Sequence, residues 1–259
     1  GNWAGIWQQG NNNTSTYINQ SNTSNKNFGE VYQYGSGNRQ SSIEQSNNST
    51  NNKALITQGQ TNAGISNGKA VIAQQNDSHT NEAYVSQRAS GNDAAITQAL
   101  DSRSNQATVN QTAGSGSLAT IDQQNFTFDN QATISQQAGG NQGSITQSNA
   151  SAYNKADVLQ RGNYGVATIK QTDYAASGTA LIDQNGYSNV AHIEQVNANT
   201  WNGNQAVIKQ DLNSTAGYGN YAEIKQGELG AGTSERNVAS ITQNYSMNSA
   251  RLLQVGVGN

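Results

Sequence analysis

Apolar and polar residues alternate along this chain in short runs, and one triplet, an aliphatic residue, any residue, then glutamine, keeps returning. Aligning every Gln that lies two residues after Ile, Val or Leu yields a seven-residue unit, Asn-x-Ala-x-Ile-x-Gln, that occurs twenty times. The units end at Gln8, Gln20, Gln33, Gln45, Gln58, Gln74, Gln87, Gln98, Gln111, Gln123, Gln136, Gln147, Gln160, Gln171, Gln184, Gln195, Gln210, Gln226, Gln243 and Gln254. The apolar slot holds Ile fifteen times, Val four times and Leu once, and Ile65 is the only isoleucine outside it. The Ala slot holds Ala sixteen times and otherwise Gly, Ser or Thr, while the Asn slot holds Asn fourteen times.

All four slots have the same parity. In an extended strand, residues two apart project to one face. Asn, Ala, Ile and Gln therefore share an inner face, and the x positions form an outer one. The outer positions are mixed: Asp93, Ala95 and Thr97 in one unit, Tyr221, Glu223 and Lys225 in another. A helix is excluded, because a period of two would scatter the repeated residues around its whole circumference.

The connectors alternate in length. After Gln87, Gln136, Gln160, Gln184 and Gln243 the next unit begins after four residues, and after Gln20, Gln45, Gln74, Gln98, Gln123, Gln147 and Gln171 after six. Two strands and two turns then make one coil, which predicts about ten coils. Three longer connectors, 59–67, 211–219 and 227–236, read as insertions at turns, where a solenoid tolerates them. The expected fold is all-β: residues 1–259 as one two-sheet parallel β-solenoid of strand–arc–strand coils. Each slot stacks on its own kind at the cross-β spacing of roughly 4.8 Å.

Stacking gives the buried amides a purpose. An unpartnered amide in a core costs a few kcal/mol, but in a column each can donate to one coil and accept from another. The glutamines above form one such expected ladder, and Asn2, Asn27, Asn52, Asn81, Asn105, Asn130, Asn154, Asn204 and Asn237 a second. A slip of one residue would turn both ladders outward, so they also fix the register.

The first unit, "NWAGIWQ", and the last, "NSARLLQ", carry no Pro, charge cluster or capping helix. Open strand edges template further strands. Trp3, Ile6 and Trp7 at one end and Arg251, Leu252 and Leu253 at the other are therefore expected at polymerisation ends, in a fibre of stacked copies.

Composition supports stacking over disorder. Leu, Ile, Val and Phe number only 40 of 259 residues, which is low for a globular core. Disorder also calls for high net charge, whereas charged residues make up 11% and the net charge is −3. A Gln/Asn-rich chain of low charge without Pro suits cross-β structure. No Cys is present, so disulfides and thiol chemistry are excluded, as is compatible with a secreted bacterial protein. No apolar run is long enough to span a membrane, and no signal peptide is visible, so an exported protein would be seen here in mature form. The 13 basic residues are scattered and offset by 16 acids, which argues against a nucleic-acid footprint.

His79 falls in a turn and His192 at an outward position, apart from each other, and no acid pair has a spacing that demands acid–base work. No cofactor, metal or catalytic residue is expected. Outward carboxylates and lysines read as gatekeepers against lateral sheet pairing.

The repeats resemble those of curlins, the subunits of bacterial curli. "YQYGSGN" (Tyr32 to Asn38) carries the family's Gln-x-Gly-x-Gly-Asn corner. Its half-pattern recurs as "QRASGNDAAITQ", "QNGYSNVAHIEQ" and "QNYSMNSARLLQ", and with Gly in the Ala slot as "QQAGGNQGSITQ". The resemblance covers essentially the whole chain. It implies an extracellular functional amyloid of biofilm matrix, secreted unfolded through an outer-membrane pore and nucleated at the cell surface. The implied partners are further copies of the chain, the secretion pore, a chaperone and a nucleator. The chain departs from the family in having ten coils where members often have five, and in opening its strands mostly with Asn in place of Ser. No separate secretion-targeting segment is visible, since repeats begin by Asn2. In "GNRQSSIEQ" the corner is one residue longer and puts Arg39 in the Asn slot.

Two other functions fit a solenoid. A monomeric adhesin or ice binder comes second, though an ice binder wants a regular outward row such as Thr. A polysaccharide-acting β-helix enzyme comes third and wants acids and bases clustered in one groove.

Overall fold

The computed structural model describes residues 1–59, 68–196, 203–211, 219–227 and 237–254. The three expected insertions lie outside the described residues, apart from their bordering positions 59, 211, 219 and 227.

Every one of the twenty units forms a strand. One sheet contains β1 (Trp3–Gln9), β3 (Phe28–Tyr34), β5 (Lys53–Gln58), β7 (Glu82–Gln87) and β9 (Gln106–Gln111). It continues through β11 (Gln131–Gln136), β13 (Lys155–Gln160), β15 (Thr179–Asn185), β17 (Gln205–Asp211) and β19 (Val238–Gln243). The second sheet contains β2 (Thr16–Ser21), β4 (Ser41–Ser46), β6 (Ala70–Gln75), β8 (Asp93–Ala99) and β10 (Leu118–Gln124). It continues through β12 (Gln142–Ser148), β14 (Val166–Thr172), β16 (Val190–Val196), β18 (Tyr221–Gln226) and β20 (Ser249–Gln254). Each ten-stranded sheet runs in chain order of alternate strands, with parallel pairing throughout. The protein is thus a two-sheet β-solenoid.

The pairing is in register slot by slot. Ile121 aligns with Ile96 and Ile145, and Gln123 with Gln98 and Gln147. Within a coil the two strands run in opposite directions across the core. Gln33 near the end of β3 donates to the Ser41 hydroxyl at the start of β4 at 3.0 Å, and Gln45 near the end of β4 donates to the Phe28 carbonyl at the start of β3 at 3.1 Å. The core between the sheets is a double row of Ile or Val with Ala beside it, fully buried from Val31 through Ile224. The small Ala slot leaves room for the facing strand's branched side chain.

The corners after the even strands adopt a conformation that composition alone hides. Two consecutive residues sit in the left-handed region in seven successive corners, among them Asn22–Thr23, Asn47–Asn48, Asn76–Asp77, Leu100–Asp101 and Phe126 after Asn125. Asn and Asp tolerate this conformation, whereas Leu and Phe rarely adopt it. Backbone bonds between coils hold it: Asn48 N–H to Asn22 O and Phe126 N–H to Leu100 O, both 2.9 Å. Glycine becomes obligatory where neighbouring coils press closest, as at the other corner, where a Cβ on Gly162 would fall 1.7 Å from the Gly186 carbonyl oxygen.

Arg39 is corrected by the structure. Register assigns it the inner Asn slot, yet its side chain is exposed, and Asn38, one residue earlier, is buried instead. Asn38 Nδ2 donates to Asn13 Oδ1 of the preceding coil at 2.9 Å and to the Tyr34 carbonyl at 3.0 Å. The longer corner thus turns the cation out to water and keeps an amide inside.

Candidate functional site

The glutamines form two continuous ladders. In the first sheet, Nε2 of each Gln donates to Oε1 of its counterpart in the next coil from Gln8 to Gln243, at 2.5–3.0 Å. In the second, the same bond runs from Gln20 to Gln254 at 2.7–2.9 Å. Every link points the same way, from amino-terminal coil to carboxy-terminal coil.

Each ladder amide also closes its coil. Gln98 Nε2 contacts the carbonyl of Glu82 on the facing strand (3.1 Å), that of Asn105 at the next strand's entry (3.0 Å) and Gln123 Oε1 (2.9 Å). Its two N–H groups thus serve three acceptors, one of them shared. The interior rungs are at most a few per cent exposed.

The asparagines behave differently from the amide-to-amide column expected of them. Oδ1 of each accepts the backbone N–H at the next coil's Asn slot: Asn52 from Asn81, Asn81 from Asn105 and Asn105 from Asn130, all at 2.8–2.9 Å. Nδ2 donates instead to a Ser or Thr three residues before that next slot. Asn27 reaches Ser49, Asn52 reaches Ser78, Asn81 reaches Ser102, Asn105 reaches Thr127 and Asn130 reaches Ser151, each at carbonyl and hydroxyl alike. Asn2 does the same with Ser24 at the first coil, and Asn154 binds the Ala175 carbonyl. At Gly178 the amide is missing, though its N–H still binds Asn154 Oδ1. Asn204 resumes the series by accepting the Asn237 N–H at 3.1 Å. Sequence reasoning missed these hydroxyl partners; a Ser/Thr-x-x-Asn spacing was their signal.

The first and last described coils are less covered than those between them. At the amino-terminal end Ile6 is 44% exposed, against complete burial of its counterpart Ile56. Ile18 and Leu252 are only partly buried on the core, while Leu253 points outward and is exposed. Arg251 also points outward, where its Nε binds Glu223 at 2.8 Å.

The first two coils carry an aromatic block on their outer face. Trp3 stacks on Phe28 with centroids 4.6 Å apart, and Trp7 on Tyr32 at 4.7 Å. The two indoles lean together over Gly5, where a Cβ would fall 2.3 Å from Trp7 and 2.6 Å from Trp3. Tyr34 lies beside Tyr32 with its ring nearly parallel, 13° off.

The last coils carry an alternating charge lattice on the outer face of the second sheet. Lys170 pairs with Glu194 at 3.8 Å, Glu194 with Lys225 at 3.3 Å, Lys225 with Glu223 at 3.3 Å, and Glu223 with Arg251 as above. His192 Nε2 lies 3.9 Å from Glu194. Burial lowers the imidazole pKa against the pull of Glu194 and Glu223. Burial works to raise the Glu223 carboxyl, but the hydrogen bond from Lys225 and the charges of Arg251, Lys225 and His192 hold it below the usual range. His79 sits far off at a corner, its Nδ1 2.6 Å from the Thr50 hydroxyl. Among the described residues no three His, Asp or Glu converge as a metal would require.

No family model matches this sequence, and no curated protein matches it either.

Proposed function

We propose that the protein is a structural subunit that polymerises end to end into an extracellular, curli-like amyloid fibre, serving adhesion and aggregation in a biofilm matrix. One observation carries this reading: both Gln ladders run in one direction, and over the described residues their first and last rungs are complementary. Gln8 and Gln20 offer Oε1 acceptors, and Gln243 and Gln254 offer Nε2 donors. A second copy docked head to tail continues each ladder in register, Gln243 to Gln8 and Gln254 to Gln20. The same docking sets Ile241 on Ile6 and Leu252 on Ile18, burying the apolar surface that the single chain leaves open. The role is architectural rather than catalytic. Its partners are further copies of the chain, and by resemblance to curlins a secretion pore, a chaperone and a nucleator.

The test is to dilute purified, denatured protein into buffer and follow amyloid-dye fluorescence, electron micrographs and fibre diffraction. Unbranched fibres, seeded growth and a meridional reflection near 4.7–4.8 Å are expected. A folded monomer that stays soluble at high concentration would overturn the proposal in favour of a monomeric adhesin.

A further inference from the structure

The aromatic block contains a vacancy. Trp7 covers Tyr32, but the residue in register with Tyr34 is Gln9, so the aromatic layer of β1 ends one ring short of the layer beneath it. The result is a cleft of about 240 Å³ lined by Trp7, Gln8, Gln9, Tyr32 and Tyr34. Trp7 and Tyr32 differ in tilt by 7° and Tyr32 and Tyr34 by 13°, so the three rings lie in nearly parallel planes. A six-membered ring that presents one broad face to Tyr34 would fill the missing position in the layer beside Trp7.

The lining chooses among six-membered rings. None of its residues is charged, and burial together with the neighbouring Glu30 carboxylate pushes the Tyr32 phenol up, which keeps it neutral. Anionic and cationic ligands therefore find no counter-charge in the cleft itself. Two amides and two phenols supply hydrogen-bond donors and acceptors around the aromatic walls, a combination typical of small-molecule sites. That chemistry suits a ring with an apolar C–H face and a rim of hydroxyls.

We propose that this cleft binds one hexopyranose unit of a neutral, β-linked polysaccharide, stacked on Tyr34 beside Trp7 with its hydroxyls held by Gln9. The site is built by β1 and β3 of a single chain. It also differs from a glycan-processing enzyme's groove, since no acid or base lines it.

The test titrates a soluble β-1,4-linked glucose hexamer into the freshly refolded 259-residue chain while recording tryptophan emission and, independently, saturation-transfer NMR. Saturable binding is expected. Tyr34→Ala weakens it by roughly three- to tenfold, as loss of one aromatic stack predicts. Tyr34→Phe retains it, which shows that the ring rather than the fold is responsible. Tyr174→Ala, which removes an exposed tyrosine at a remote corner, leaves binding unchanged. Absence of saturable binding, equal affinity in Tyr34→Ala, or an equal loss in Tyr174→Ala would each overturn the assignment.

Discussion

Gln210 donates to Gln243 at 2.9 Å across thirty-three positions of sequence, while Gln160 donates to Gln184 at 3.0 Å across twenty-four. The rung is the same although the intervening chain differs by nine residues. Register in this solenoid is therefore set inside the coil, by stacked amides and aliphatic side chains, and the connectors follow.

Removing a rung tests that view. Gln123 is fully buried, and Gln123→Leu keeps its bulk while stripping partners from Gln98, Gln147 and the Asn130 carbonyl. A loss of about 2–3 kcal/mol is expected in denaturant unfolding of freshly refolded monomer. Thr97→Leu, an outward change in the neighbouring strand, should cost less than about 0.5 kcal/mol. Equal losses would mean that the ladder adds no stability.

The asparagine contact has a local readout. Asn105 Oδ1 accepts the Asn130 N–H at 2.9 Å, so Asn105→Ala should speed hydrogen exchange at that amide well beyond its neighbours in β11. The stability cost should be about 1–3 kcal/mol. Protection left intact at Asn130 would show that the bond is dispensable.

Core and end positions should separate folding from assembly. Ile134→Ala opens a cavity in a sealed column and should cost about 2–5 kcal/mol. Ile6→Ala, made where the side chain is already 44% exposed, should change monomer stability by less than about 1 kcal/mol. It should nevertheless slow seeded fibre growth more than Ile134→Val does. Growth kinetics unaffected by Ile6→Ala would remove that end from the junction.

Acid should loosen the last coils in two stages. His192 has a lowered pKa in the fold, so the unfolded chain takes the proton more readily and stability declines as pH falls below the ordinary imidazole value of 6.5. Glu223 is also lowered, so its contribution is complete above the ordinary carboxyl value of 4.5 and is lost as pH falls through its folded pKa. In thermal melts against pH, His192→Gln should abolish the first decline and Glu223→Gln the second. An unchanged profile in both variants would place the acid sensitivity elsewhere.

The period-two slots made the fold readable. Ile, Ala and Gln recur with enough contrast that strand number, sheet membership and register follow from spacing alone. The corners offered no such contrast. Ser, Thr and Asn fill the arcs so densely that Ser78 and Ser102, buried partners of Asn52 and Asn81, look like any other polar residue. Nor does spacing reveal that Leu100 and Phe126 take left-handed conformations, because bonds from neighbouring coils impose them. Trp3 and Trp7 were legible as outward aromatics, but the stacking on Phe28 and Tyr32 needed the register first. Arg39 was misplaced because slot counting ignores which side chain water will accept.

The single sense of the ladders gives the rod an electrical axis. Backbone N–H groups largely cancel along it, since Trp3 donates toward the later coil at Asn27 whereas Asn48 donates back to Asn22. The side-chain amides do not cancel, and each carries a dipole comparable to a peptide unit's, roughly 3.5 D. Summed over both sheets they make one tip of the rod more positive than the other. Such a rod has a preferred way up in a field gradient, so near a charged surface it would meet that surface with one chosen tip.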